Sequence, residues 1–357
     1  MASLHPIRCV RALRSALNHL MKALVIRKPG EAVIENVPEP QPQPGHALLR
    51  VRMIGLCGSD LNSYRGKNPL VSFPRIPGHE IAATVVQADS LRPELKPGTN
   101  VTLSPYTNCG KCASCLRGRS NACQFNETLG VQRDGALREQ IWMPAEKLYA
   151  ANLSIMELCL VEPLTVGFHA VARGRVQASD NVAVFGCGGV GLGAIAAAHF
   201  AGACTIAVDL DDRKLEIAKS AGAVHTVNTA RETLHDCLLQ LTENRGPDVV
   251  IEAIGLPETF IAAVEEVAFT GRVVYIGYAK EPVAYETRLF VQKELDILGS
   301  RNALPADFAR VMQMLESGAF PVEQAVGTII PLEQAPSILQ QWSEAPQRFT
   351  KIMVSLD

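Results

Sequence analysis

The stretch Asn181–Gly191, NVAVFGCGGVG, runs a short apolar strand directly into a glycine-rich turn and on into an apolar segment with helical spacing. Gly186-Cys187-Gly188-Gly189-Val190-Gly191 fits the pattern G-x-G-x-x-G. Such a pattern alone is weak evidence, and here its context gives it weight. Gly186 can make the tight turn, Gly188 lets the backbone approach a pyrophosphate, and Gly191 permits close packing of helix on strand. The helix begun by Gly189 and Val190 would offer its unpaired N–H groups and partial positive charge to phosphates.

The next strand, TIAVDL, carries Asp209 about twenty residues further on, where a carboxylate can accept hydrogen bonds from both ribose hydroxyls of an adenosine. That arrangement favours NAD over NADP, because a 2′-phosphate would meet a like charge. Arg213 is close enough in sequence to keep the phosphate-binding alternative open.

Working outward, six apolar strands alternate with helical stretches between about 180 and 301: NVAVFG, TIAVDL, HTVN, DVVIEAIG, RVVYIGYA and DILGSR. The alternation predicts an α/β unit with a doubly wound parallel sheet, a Rossmann domain over 164–302. Upstream, 21–163 reads as β-rich, with KALVIRKP, HALLRVRMIG and IAATVVQA separated by Pro, Gly and Asn clusters, and predicts an irregular barrel. Beyond it, 303–357 holds a helix, PADFARVMQMLESGAF, and a final strand in TKIMVSLD that returns to the first domain. Residues 1–20 carry Arg8, Arg11 and Arg14 and no acid. They fit an organellar transit peptide, an extra helix or a start codon assigned too early, and are expected to be an extension with no catalytic role.

A chain of 357 residues, 47% hydrophobic, supplies cores for two domains. Its net charge of -2 offers no basic field for a nucleic-acid backbone. Five of the ten cysteines fall at metal-ligand positions and five are scattered singly, which reads as a reducing cytoplasm. No apolar run is expected to reach the roughly 18 to 20 residues of a membrane span.

Cys109, Cys112, Cys115 and Cys123, in NCGKCASCLRGRSNAC, have C-x2-C-x2-C-x7-C spacing. Four thiolates can fill one tetrahedral zinc shell and leave no position for substrate, so a structural site is expected in a lobe at about 105–125. Lys111, Arg117 and Arg119 would offset its excess negative charge. Cys57 in GLCGSD, His79 and Glu80 in PGHE, and Glu162 in VEPL each have a bland reading: a small buried hydrophobe, a satisfied core histidine, structural acids. Together they form a mixed donor set of the kind that leaves a coordination position open.

These motifs resemble the zinc-dependent medium-chain dehydrogenase/reductase family, from about Met21 to the end of the chain. The resemblance implies a GroES-like catalytic domain beside the Rossmann domain, two zinc ions per chain and NAD. Catalytic zinc would be held by Cys57 and His79, with Glu80 and Glu162 completing or exchanging in the shell. Ser59 would take the substrate proton, and Asp60 would orient a ligand or simply form a turn. Zinc would lower the pKa of a substrate hydroxyl so that its carbon can lose hydride to nicotinamide. Many relatives place a histidine five positions after the first zinc cysteine; Asn62 stands there and cannot titrate near pH 7. The family's proton relay therefore does not transfer directly to this chain.

Glu162 in the VEPL position is similar to the polyol branch, including sorbitol and threonine dehydrogenases. Arg301 in GSRNA falls where that branch carries an active-site arginine, and the run GSRNA followed by P-x-DF is similar to bacterial sugar-acid enzymes such as L-galactonate 5-dehydrogenase. A guanidinium could grip a substrate carboxylate at two points, bond sugar hydroxyls, or support Glu162. Tyr64, Arg65 and Lys67 could also meet a polar substrate, although exposed loop residues of this kind are more often solvated. The expected enzyme is a cytoplasmic homo-oligomer, dimer or tetramer, that oxidises a secondary alcohol of a polyol or sugar acid. Amino-alcohol or diol oxidation is the alternative within the class. A zinc-ribbon module and a non-catalytic NAD- and zinc-binding protein are rivals outside it; near-neutral charge weighs against the first and the complete second ligand set against both.

Overall fold

The computed structural model describes residues 20–88 and 92–357. The expected N-terminal extension lies outside them except for Leu20, which opens a strand, Leu20–Lys28, paired antiparallel with Glu31–Pro38.

The first domain is organised around His46–Leu56, a strand long enough to pair along different parts of its length with Gln140–Pro144, Glu80–Gln87 and Ile352–Ser355. Alternation of its apolar side chains sends Leu49, Val51 and Ile54 into a core with Leu24, Ile26, Ile81 and Ile141. Ile352 pairs with Leu56 and Ser355 with Met53, so the last strand of the chain is built into this sheet.

All six expected nucleotide-domain strands form: Asn181–Phe185, Cys204–Asp209, His225–Asn228, Val249–Glu252, Arg272–Tyr275 and Asp296–Gly299. They are parallel, with Asn181–Phe185 at the point where the order reverses: third, second, first, fourth, fifth, sixth. Central strands such as Val182–Phe185 and Val249–Glu252 are buried throughout, which is why they read as continuous apolar runs.

The largest departure from expectation is a 19-residue helix, Ile155–Arg173. It starts at a capping box in which Ser154 Oγ accepts from Glu157 N at 3.2 Å and Glu157 accepts from Ser154 N at 2.7 Å. The boundary expected between 163 and 164 falls inside it. By length and composition alone the helix is apolar enough to cross a membrane, although no unbroken apolar run of that length was expected. Its apolarity serves packing, since it lies against the strands of the first domain on one side and the nucleotide-domain helix Gly189–Phe200 on another, with Leu158 to Leu164 and Phe168 all buried.

That second contact depends on missing side chains. A Cβ added at Gly167 would lie 2.1 Å from Ala194 N, and one at Gly193 would lie 3.0 Å from Leu164 O. Helix backbones therefore touch where any larger residue would wedge them apart. Gly167→Ala is expected to destabilise the unliganded protein by about 1–3 kcal/mol through overpacking. Thermal unfolding should show a midpoint several degrees below that of Gly188→Ala, where an added Cβ meets nothing within 4 Å; equal midpoints would mean that the two helices yield freely.

Candidate active site

Strand His46–Leu56 ends at Cys57, which caps the short helix Gly58–Tyr64. Asp60, on the first turn of that helix, is buried and folds its carboxylate back: Oδ2 accepts from Cys57 N at 2.9 Å and Oδ1 from Gly78 N at 3.3 Å. One carboxylate thus ties the Cys57 loop to the loop bearing His79. Asp60 Oδ1 also lies 3.7 Å from His79 Nδ1, a buried nitrogen with no hydrogen-bond partner, and on the other side of the ring Ser59 Oγ is 3.4 Å from Nε2.

Ligand atoms of Cys57, His79 and Glu80 lie within 4.8 Å of one another. Thiolate, imidazole and carboxylate form a set that suits zinc. Glu162 stands beside this group rather than within it, buried on the helix Ile155–Arg173, with the Tyr106 hydroxyl donating to its Oε1. Glu80 instead pairs with Lys351, which arrives on the segment leading into the final strand and is equally buried.

Charges here are short of a cation. Burial pushes the Glu162 carboxyl up to about 7, opposed by His79 and reinforced by Glu80. Burial alone would lower His79, yet Asp60, Cys57 and Glu162 outweigh it and raise the imidazole well above its usual range. Glu162 and His79 are both pushed toward their protonated forms, and a divalent ion would displace those protons.

The four expected lobe cysteines also converge, their Sγ atoms within 4.8 Å of one another. Cys112 Sγ lies 3.5 Å from Cys115 Sγ and 3.8 Å from Cys123 Sγ. Tetrahedral zinc with thiolate bonds of about 2.3 Å requires edges of about 3.8 Å, so the donors fit with little adjustment. The Ser114 hydroxyl, then the backbone N–H groups of Cys115 and Gln124, hold the Cys112 thiol down at about 5, while desolvation and neighbouring thiols push Cys115 up to about 11. The donors around Cys112 thus favour negative sulfur at that position.

At the nucleotide turn, Gly186 has φ of +96° and an added Cβ at Gly191 would fall 1.7 Å from Gly186 O, whereas Gly188 and Gly189 face open space. Those last two leave a cradle wide enough for a pyrophosphate to reach the backbone. Asp209 is anchored at the edge of the turn: Oδ2 accepts from Cys187 N at 2.8 Å, and Oδ1 from Leu210 N at 2.8 Å and Asp211 N at 3.1 Å. Arg213 is exposed and turned to Asp211, at 3.2 Å. A cavity of about 220 Å³ lies under the turn, bordered by Gly188, Gly189, Leu160 and Leu164 on the nucleotide side and by Thr350 and Lys351 on the other.

Arg301 donates from Nη1 to Cys123 O at 3.2 Å, which joins it to the four-cysteine lobe, and among the described residues it makes no hydrogen bond to Glu162. Arg65 is likewise committed, its Nε donating to Ser343 Oγ at 3.0 Å, and the Tyr64 hydroxyl donates to Gly30 O at 3.0 Å. Lys67 is exposed. Tyr106, Lys351 and His169 were not singled out by sequence, and Asp307 entered only as part of P-x-DF with no role given to it; the carboxylates and histidine they meet are remote in the chain.

Comparison with known proteins agrees with this architecture. Residues 43–152 match the family described as alcohol dehydrogenase GroES-like domain, and residues 189–317 match zinc-binding dehydrogenase. The chain is 33% identical to a sorbitol dehydrogenase of Bacillus subtilis strain 168, covering 94% of this chain and 97% of that one. It is 31% identical to an L-galactonate-5-dehydrogenase of Escherichia coli strain K12, covering 84% and 88% respectively. An alcohol dehydrogenase from Escherichia coli CFT073, solved with NADH, superposes with a TM-score of 0.87 at 26% identity, over 94% of this chain and 99% of that one. Two zinc-ligand sets, a glycine cradle at the switch point of a parallel sheet and relatives of this kind lead to one conclusion: the chain belongs to the zinc-dependent medium-chain dehydrogenases, in their polyol branch.

Proposed function

We propose that the protein oxidises a secondary alcohol of a polyol or sugar acid with NAD as the hydride acceptor. The observation that carries this reading is the double position of Lys351, which borders the cavity under the glycine turn and pairs with Glu80 of the ligand group. One buried side chain thus spans the distance between the place for the cofactor and the place for the metal. When bound, zinc supplies Lewis acidity that lowers the pKa of a hydroxyl, and the nicotinamide supplies the hydride acceptor.

Cys57 and His79 hold the ion in this reading, Glu80 completes its shell, and Glu162 exchanges or acts from its border. Asp60 fixes the two loops that carry the ligands. Ser59, at 3.4 Å from the ligand imidazole, takes the substrate proton. Asn62 can hydrogen-bond but not titrate, so the proton leaves the half-buried Ser59 through ordered water or another residue.

Cys57→Ser is expected to remove catalytic metal and abolish NADH formation across a panel of polyols, hexonates and amino alcohols, with circular dichroism unchanged. Cys112→Ser should lose the other ion and loosen the lobe. Parent-level turnover in Cys57→Ser would sink the catalytic assignment, and a panel response confined to amino alcohols would replace the polyol reading.

NAD preference rests on Asp209, reinforced by the pairing of Arg213 with Asp211, which leaves a 2′-phosphate without a free arginine there. Lys214 lies 3.9 Å from Asp209. Steady-state kinetics should favour NAD in the parent, with the preference reduced or reversed in Asp209→Ser; a parent that prefers NADP would disprove the selection.

For Arg301, the bond to Cys123 O changes the expectation about substrate. Arg301→Ala should lower kcat/KM for hexonates and for matching neutral polyols by the same factor. A selective loss on hexonates of about ten- to a hundred-fold, the equivalent of a charge-assisted hydrogen bond, would return the guanidinium to the substrate.

A further inference from the structure

We propose that Tyr106 is the positioning residue through which the base of the four-cysteine lobe sets Glu162; the inference rests on the reading of Glu162 as a carboxylate of the catalytic metal shell. Tyr106 lies on Tyr106–Thr107, which pairs antiparallel with Glu127–Thr128. These two short strands close the lobe at its base, three residues before Cys109 and four after Cys123. The ring is 7% exposed, and its hydroxyl donates to Glu162 Oε1 in a region where Glu162 itself is 4% exposed.

Among the described residues no other side chain hydrogen-bonds this carboxylate. A buried carboxylate with a single donor has its rotation set by that donor, because every other orientation leaves both oxygens unpaired. Tyr106 therefore commits one oxygen of Glu162 and leaves the other for the ion or for water on it. A phenol suits the task, since it is a neutral donor and adds no charge that would compete with a divalent cation.

The lobe also grips the same helix a second time. Two turns beyond Glu162, His169 Nε2 lies 2.9 Å from Asn121 Nδ2, and Asn121 Nδ2 donates to Arg301 O at 2.8 Å. His169 Nδ1 is 2.9 Å from Asp307 Oδ2, so the ring is held from both sides. Because the Asn121 amide must donate toward Arg301 O, Nε2 of His169 accepts and Nδ1 carries the hydrogen to Asp307. With Tyr106 at one point and Asn121 at the other, the lobe fixes both the height of the helix and the rotation of the carboxylate it carries. A closed metal site with no chemistry of its own thereby shapes the open one.

The test uses the full-length enzyme with its lobe zinc retained and cobalt exchanged into the catalytic position. Tyr106→Phe keeps the ring and its packing. It is expected to shift the cobalt d–d absorption bands and weaken cobalt retention against a chelator by about ten- to a hundred-fold, the usual effect of removing a partner of a metal ligand. Glu162→Gln serves as reference and should move the same bands. If Glu162→Gln moves the bands and Tyr106→Phe leaves spectrum and retention at parent values, the positioning role is overturned. If neither variant moves them, Glu162 does not meet the metal, and the reading on which the inference rests falls with it.

Discussion

Everything at the site depends on two helices touching backbone to backbone. Ile155–Arg173 crosses Gly189–Phe200 where Gly167 and Gly193 supply no side chain, and no atom could be added at Gly167 without moving the chain. Glu162 and the first turn of the nucleotide helix belong to these same two rods, so their separation is set by the contact. Hydride transfer needs donor carbon and acceptor ring near van der Waals contact, a tolerance that flexible linkers would not hold. Close packing of two rigid elements holds it.

Around that contact the protein buries several ionisable groups, and four of them have clear partners. Asp60 takes two backbone N–H groups, Glu80 takes Lys351, Glu162 takes Tyr106, and His169 takes Asp307. Burial of such groups is unfavourable unless their hydrogen bonds are satisfied. Apart from Cys57 N, the partners come from remote parts of the chain, and the residual imbalance is negative. Raised protonation of both Glu162 and His79 expresses that imbalance, and it is the electrostatic signature of a place made for a cation.

Much of this was legible in sequence where the physics is local. Six parallel strands, the central ones buried, announced themselves as apolar runs, and the turn at Gly186–Gly191 and the acid at Asp209 followed from fixed offsets along one βαβ unit. Cysteine spacing located the lobe for the same reason. The helix Ile155–Arg173 was not legible, because a segment apolar on all faces has no periodicity to betray it, and Pro163 reads as an interruption although the helix continues through it. The bond from Arg301 to the lobe was not legible, because its partner is a backbone carbonyl, which no side-chain pattern records. Lys351 is 271 residues from the carboxylate it neutralises, beyond the reach of any spacing argument.

The last strand, paired with Met53–Leu56 near the start of the first sheet, has a bearing on biosynthesis. Chains are made from the N-terminus, and domains tend to fold as they emerge. The nucleotide domain is complete once Asp296–Gly299 has left the ribosome, while the catalytic sheet still lacks Ile352–Ser355 and Glu80 still lacks Lys351. Until release, His46–Leu56 presents an unpaired edge at Met53–Leu56, and a buried acid waits without its counter-charge. A premature stop that removes only the final residues would therefore spare the nucleotide fold and strike the catalytic half, at its interior rather than at its margin.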